Sequence, residues 1–422
     1  MILAVQFGLS VFIYSAIMNF SYMNPSRLTG CRAASATALA LLLSMFSGGA
    51  FAAESAETIV AKPAWDFRMA ARLQLDRGYF YNDKGTEFDH GDNVRRARLG
   101  FRVRYGDHWS LSHTYDFARD GLEGIRDTVL QYRDGQGMRY TIGHFKEPFS
   151  MERLTSVRDL TFMERSLAST LAPPRARGVE VHHHTAHGTT AVGVFKGGFE
   201  DSVLNTEYGV SGRKTFAPRS AAGDILHFGG SVAYRKTDSS NEVRFRQRLE
   251  TRNSDERLVD TGSFLASDFT YFGAEAAYAK GPFAIQSEYI HALIRNARMA
   301  EGDPRNSVNF NGWHVDFSWI LTGEDQPYHL EKGTFDRIKP RNGLGNGQGG
   351  FGAVRAAIRW SGLNLSDEFV RGGAQQNLGA SVTWYANDYV TLMAEYIRVI
   401  KLSGDYRNAS PYVYQARLQL SF

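Results

Sequence analysis

From residue 65 onward, polar and apolar residues alternate singly over most of the chain, and the closing segment 412–422 shows the pattern most plainly. Tyr412, Tyr414, Ala416, Leu418, Leu420 and Phe422 share one face, while Gln415, Arg417, Gln419 and Ser421 share the other. A period of two belongs to a strand. In a soluble sheet the apolar face looks into a core, whereas in a transmembrane barrel it meets lipid and the polar face meets a wet lumen. A last strand that stops on an aromatic residue favours the barrel.

The same alternation places strands near 65–77, 95–105, 108–118, 125–133, 138–145, 177–184, 189–199, 206–216, 225–236, 241–250, 268–280, 282–292, 310–321, 351–361, 376–386, 389–400 and 411–422. That is an odd number, and a barrel with both ends on the periplasmic side needs an even one. The expected fold is therefore an all-β, transmembrane antiparallel β-barrel of about 16 strands (16–18), formed by residues 53–422 as one domain. Short turns such as Gly106-Asp107, Gly281-Pro282 and Ala386-Asn387-Asp388 suit the periplasmic rim; 79–94, 293–308 and 362–374 are longer, more polar and suit the outside. The Gly/Asn/Lys-rich stretch 323–350 is a long connection that could lie on either side. Residues 146–176 mix apolar and charged positions at helical spacing, which suits a loop folded into the lumen better than one hanging in water. An external surface loop is the alternative.

The first 52 residues hold no Asp or Glu and two basic residues, Arg27 and Arg32, followed by the apolar stretch 36–46. Ala50-Phe51-Ala52 fits a signal-peptidase site, so 1–52 reads as a signal region. The apolar stretch 2–20 upstream is long enough to resemble a membrane helix. Met23 to Ala52 makes a complete cleaved signal by itself, with Met23 as the natural initiator. Leu28-Thr29-Gly30-Cys31 is a weaker, lipobox-like rival. Cys31 is the sole cysteine, so the mature chain can form neither a disulfide framework nor a cysteine-based metal site.

Without Arg27 and Arg32 the chain carries 46 basic residues against 44 acidic, so bulk charge predicts no anionic partner and only arginine placement can. In 95–105, Arg96, Arg98, Arg102 and Arg104 share a face opposite Leu99, Phe101, Val103 and Tyr105. An arginine at the bilayer midplane costs roughly 2–4 kcal/mol, so this face must line water. Arg244, Arg246 and Arg248 alternate in the same way, and Arg252 keeps their parity. Successive members of such a row lie about 6.6 Å apart, close enough to hand an anion along. A planar guanidinium keeps its charge and offers several donors to an oxyanion. Pairing with acidic neighbours is the competing reading of these rows.

Several segments together resemble the phosphate-selective porin O and P family over nearly all of the mature chain. They are Arg72-Leu73-Gln74-Leu75-Asp76, Arg95-Arg96-Ala97-Arg98-Leu99, Gly143-His144-Phe145-Lys146-Glu147-Pro148-Phe149-Ser150 with Leu154-Thr155-Ser156, and Phe162-Met163-Glu164-Arg165, followed by Gly281-Pro282-Phe283 with Glu288-Tyr289, Leu321-Thr322-Gly323-Glu324 and Trp384-Tyr385-Ala386-Asn387. The resemblance implies an outer-membrane homotrimer of about sixteen-stranded barrels, each with an inward constriction loop. It also implies that Arg72, Arg95, Arg96 and Arg165 bind anions at the centre, and that Arg244, Arg246, Arg248 and Arg252 guide them there. Arg153 stands where family members carry a binding lysine. Arg98 and Lys146 occupy positions that look aromatic in strictly phosphate-selective members, and Arg126 replaces an acidic residue. This extra charge points to larger or more highly charged anions such as pyrophosphate. Arg102, Arg104 and Arg417 are further lumen candidates.

His182, His183, His184 and His187 form a histidine cluster, but in a strand only His182 and His184 share a face, with Glu180 as the sole carboxylate at ligand spacing. No metal or cofactor is expected. Without a nucleophile motif, an enzyme is not expected either. Arginines that alternate into a lumen also argue against nucleic acid. The expected partners are phosphate, pyrophosphate or other small anions and outer-membrane lipid. A general diffusion porin and a plugged structural or receptor barrel are the rival functions.

Overall fold

The computed structural model describes residues 65–82, 88, 90–199, 206–345, 347 and 349–422. The signal region expected at 1–52 lies outside them. Sixteen strands close into one antiparallel barrel. They are β1 (Trp65–Tyr81), β2 (Gly91–Tyr105), β3 (Trp109–Asp116), β4 (Ile125–Arg133), β5 (Met138–Lys146), β6 (Arg175–Thr185), β7 (Gly188–Lys196) and β8 (Thr206–Ala221), then β9 (Asp224–Thr237), β10 (Asp268–Lys280), β11 (Phe283–Ala297), β12 (Asn306–Ile320), β13 (Ala353–Asp367), β14 (Val370–Tyr385), β15 (Val390–Ser403) and β16 (Tyr412–Ser421). Each pairs with its sequence neighbours, and β16 returns to β1, pairing Tyr81 with Tyr412 and Arg72 with Ser421. Closure leaves no strand edge, which is what a bilayer demands of a sheet.

Alternation sorts the two faces. Outward side chains such as Val192, Val194, Ile358, Val382 and Tyr414 are exposed, and inward Gln415, Arg417, Gln419 and Ser421 are buried. Ring pairs mark the rim that carries the strand ends Trp65 and Ser421: Trp65 with Tyr105 at 4.6 Å, Trp109 with Tyr132 at 4.9 Å, and Tyr389 with Phe422 at 5.6 Å. Aromatic side chains at this level anchor a barrel at the membrane interface. The closing Phe422 thus belongs to a girdle.

Short turns join the strands at that rim, which makes it the periplasmic one. The long connection 321–352, left without a side by the sequence, lies at this same end. At the other end, the loop expected at 362–374 is replaced by a turn at 368–369. Strands β13 and β14 stay paired as far as Asp367 and Val370 because Leu365 and Val370 are buried in a cluster inside the barrel. The surplus strand expected at 241–250 is no part of the wall. It lies in the connection 238–267, where Glu242 and Val243 pair with Leu265 and Phe264, and Arg246 and Gln247 with Asp260 and Val259. Its alternation is real. The apolar face, Val243, Phe245 and Leu249, packs on residues inside the barrel instead of on lipid.

Three connections therefore turn inward. The first, 147–174, follows β5 and contains a helical turn, Met151–Leu154, and a 3-10 turn, Leu167–Leu171. With 238–267 it builds an apolar core in the lumen, where Phe149, Leu167 and Leu171 meet Phe245, Phe264, Phe269 and Phe310. This core covers the wall of β10 to β13. Two glycines let the loop lie directly on that wall: a Cβ on Gly312 would meet the Ala168 Cα at 2.8 Å, and one on Gly273 would meet the Phe149 ring at 3.1 Å. Replacing Gly312 by Val should lift the loop while the barrel still closes, at an overpacking cost of about 1–3 kcal/mol. Limited trypsin digestion checks this: faster cleavage at Arg158 or Arg165 is expected in the folded variant.

Candidate functional site

Carboxylates on the wall hold the first inward loop by its backbone. Glu275 Oε2 accepts from Met151 N at 2.8 Å, Glu288 accepts from Glu152 N, and Glu395 accepts from Met163 N. Glu250, on the second inward loop, accepts from Leu167 N at 2.8 Å. Glu152 returns the favour within the loop, accepting from Ser166 N at 2.9 Å, and is bridged by Arg359, which also grips Asp316 at 2.7 Å. Among the described residues, Glu152, His314 and Asp316 are the group that could geometrically hold a metal ion, and the Arg359 guanidinium already bonds to both carboxylates. His182 and His184 each bond a backbone carbonyl, of Glu331 and Gly137 respectively.

At mid-lumen, Glu164 of the loop gathers three wall arginines. Arg95 Nε reaches Oε1 at 2.7 Å, Arg417 Nη2 reaches Oε1 at 2.9 Å, and Arg96 Nη2 reaches Oε2 at 3.3 Å. Consecutive residues of a strand point to opposite faces, so Arg95 and Arg96 should not both face inward. A bulge makes it possible: the β1–β2 register pairs Gln74 with Arg96 and Leu75 with Val94, leaving Arg95 as the extra residue. Arg417 also holds Asp76 at 2.6 Å and the Met163 carbonyl. Arg165 faces the loop itself, donating to the carbonyls of Glu152, Arg153 and Thr155. Arg153 lies in the helical turn beside it.

Below this node an open cavity of about 1050 Å³ runs toward the periplasmic rim along β1 to β7. It is lined by twelve arginines and lysines against five carboxylates, so its potential is positive. Arg72, Arg98, Arg102, Arg104 and Lys146, singled out in the sequence, are all there. Arg98 is held by Asp116 at 2.7 Å, and Lys146 Nζ donates to the carbonyls of Leu154 and Thr155 at 3.2 and 3.0 Å. Arg72 and Arg104 have no carboxylate partner among the described ion pairs, whereas Arg102 donates to Ser112 Oγ at 3.1 Å. Arg126 does not line this cavity; it is the extra residue of a second bulge, between the pairs Thr114–Asp127 and Tyr115–Ile125.

Sequence reasoning missed Arg68, Arg133, Arg139 and Arg175 on the same wall, and Arg158 of the inward loop facing the cavity. Arg68 could have been found, since it has the parity of Arg72. It also named none of the particular carboxylates that pair with the arginines. On the outer side, Arg244 is paired with Asp260 and Arg248 with Asp255, while Arg246 and Arg252 are exposed. The four alternate along an inward loop, not along a wall strand. Acid pairing and an open positive face thus coexist in one row.

Burial alone would raise the Glu164 carboxyl, but the charges of Arg95, Arg96 and Arg417 outweigh it and hold the group well below the ordinary glutamate range. A depressed carboxyl contributes stability that is complete above its unfolded pKa and lost as pH falls through the folded one. The contribution of the Glu164 node should therefore be flat from pH 8 to pH 5 and be lost only in stronger acid; the difference in unfolding between the unmodified protein and Glu164→Gln across that range measures it. Glu164→Gln, which leaves three buried guanidiniums facing a neutral amide, should cost about 3–5 kcal/mol in thermal unfolding of the purified protein.

Comparison with known proteins places this geometry. Residues 67–422 match the family described as phosphate-selective porin O and P. Porin O of Pseudomonas aeruginosa is 26% identical over 383 residues, covering 81% of this chain and 84% of that protein. The outer membrane channel DcaP of Acinetobacter baumannii superposes with a TM-score of 0.54 at 12% identity, over 86% of this chain and 99% of that one. OmpF of Salmonella typhi, in complex with daunomycin, gives 0.52 at 11% identity, over 84% and 97%. A closed sixteen-stranded barrel, an inward loop and a profile match across nearly all of the barrel agree: the chain is an outer-membrane porin and belongs to the phosphate-selective porin O and P family.

Proposed function

We propose that this porin forms a water-filled, anion-selective channel for passive uptake of phosphate or polyphosphate-type anions, and that it works as a homotrimer. The excess of guanidiniums along one wall of the lumen carries this reading. Anions would be drawn to the exposed Arg246 and Arg252 of the second inward loop, pass the Glu164 node, and descend past Arg72, Arg102 and Arg104. A row of similar sites conducts when each binds weakly enough to release its ion to the next. Because Asp116 neutralises Arg98 and loop carbonyls engage Lys146, the extra charge at these two positions is partly spent within the wall. Phosphate and pyrophosphate are both candidate substrates.

Two observations make the trimer reading specific. Strands β3, β4 and β5 have only 8, 9 and 9 residues, near the minimum that crosses a bilayer. Their outward face also carries polar groups, with His113 Nδ1 bonded to Thr128 Oγ1 at 2.8 Å. A face that is low and polar is better covered by protein than by lipid. The resemblance to the family adds the same expectation.

Planar-bilayer recordings test the function. Reproducible steps with an anion-selective reversal potential, reduced by added phosphate or pyrophosphate, are expected; a silent bilayer would identify a plugged barrel, and weak selectivity without blockade a general diffusion porin. Changing Arg244, Arg246 and Arg248 together to Gln should lower anion conductance several-fold with trimers still seen on unheated gels. Unchanged conductance in that variant would refute the guiding role of the row.

A further inference from the structure

The connection 321–352 brings a carboxylate into the positive cavity. Tyr328-His329 and Thr334-Phe335 pair as a small hairpin, and the 3-10 turn Leu330–Lys332 at its tip presents Glu331. Gly333 closes the turn at φ +59°, in the left-handed region that glycine enters freely. Glu331 Oε1 accepts from Arg133 Nη2 at 2.8 Å and Arg139 Nη1 at 2.6 Å, so one oxygen is shared by two wall guanidiniums. Glu331 and Arg133 are partly exposed, at 22% and 42%, and both line the cavity. Arg102 lies within electrostatic reach of the pair.

The hairpin does not depend on this contact for its position. Arg213 donates to the carbonyls of Lys332 and Gly333 at 2.8 and 2.7 Å and is itself paired with Glu275. His182 Nε2 lies 2.9 Å from the Glu331 carbonyl oxygen, and Tyr328 meets His227 at 2.6 Å. The backbone is fixed from several sides, and the Glu331 side chain is a separate, water-accessible arm.

We propose that Arg133 and Arg139 form an exit-side binding site for small oxyanions, phosphate or carboxylate, which Glu331 fills as a tethered and displaceable surrogate. The structure already demonstrates the ligand chemistry, since a carboxylate oxygen sits between the two guanidiniums. A passing anion exchanges with Glu331, so its charge leaves toward the periplasm without meeting a deep well, and the arm closes the site behind it. This rests on the anion-channel reading above. A tethered competitor at an effective concentration on the order of millimolar masks the site about tenfold when its own intrinsic affinity for the two guanidiniums is about 0.1 mM.

The test is block of chloride current through the full-length trimer, with inorganic phosphate in one arm and acetate in the other, each added from the periplasmic side. Glu331→Gln should lower the half-blocking concentration about tenfold from that side, with little change from the opposite side. Adding Arg133→Gln and Arg139→Gln to it should abolish the gain. Lowered half-block with phosphate alone assigns the site to tetrahedral oxyanions, and with both probes to oxyanions in general. Unchanged block in Glu331→Gln, or a gain that survives loss of both arginines, overturns the proposal. A reversal potential taken in the same recordings separates the two readings: cation selectivity of the unmodified protein would remove the channel reading itself, whereas anion selectivity with unchanged block removes only the exit site.

Discussion

A loop inside a lumen must find partners for every peptide group it withdraws from water, and here that constraint organises the interior. The wall meets it with carboxylates. Glu275, Glu288 and Glu395 each accept a backbone N–H of the first inward loop, and Glu250 of the neighbouring loop accepts another. A carboxylate has the capacity to take such a bond and still accept from an arginine, as Glu275 does with Arg213. The acids therefore fasten the loop, with Arg213 balancing Glu275 while Glu395 also accepts from Gln415 and Glu250 from Ser361. Glu164 reverses the arrangement, a loop carboxylate held by arginines of the wall.

The lumen is divided as a result. Along β10 to β13 it is filled by protein, with an apolar core of phenylalanines as dry as the inside of a soluble domain. Along β1 to β7 it is left to water and guanidiniums. The two halves depend on each other: the loop's most apolar side chains are buried by the filled wall, which leaves its segment 154–158 as the far bank of the cavity. Fold and passage are thus consequences of one asymmetric packing.

The barrel was legible in the sequence because lipid imposes a strict period of two, and strands such as β16 obey it residue by residue. The segment 241–250 obeys it as well and yet is no wall strand. Alternation reports that one face is apolar, and it cannot say whether lipid or an interior cluster around Phe310 is on the other side. The arginine rows were visible for the same reason as the strands. Their partners were not, because Asp116 meets Arg98 and Glu331 meets Arg133 and Arg139 through register and a distant hairpin. Acids contributed by loops carry no periodic signature.

The bulge that sets Arg95 beside Arg96 bears on how such a lumen can change over generations. Losing one residue from a wall strand ordinarily turns every later side chain from lipid to water and is ruinous. Between Val94 and Arg96 the same loss would restore regular pairing with β1 and withdraw a single charge. One codon gained or lost at this point is a step of one unit in the charge around Glu164, leaving the architecture intact.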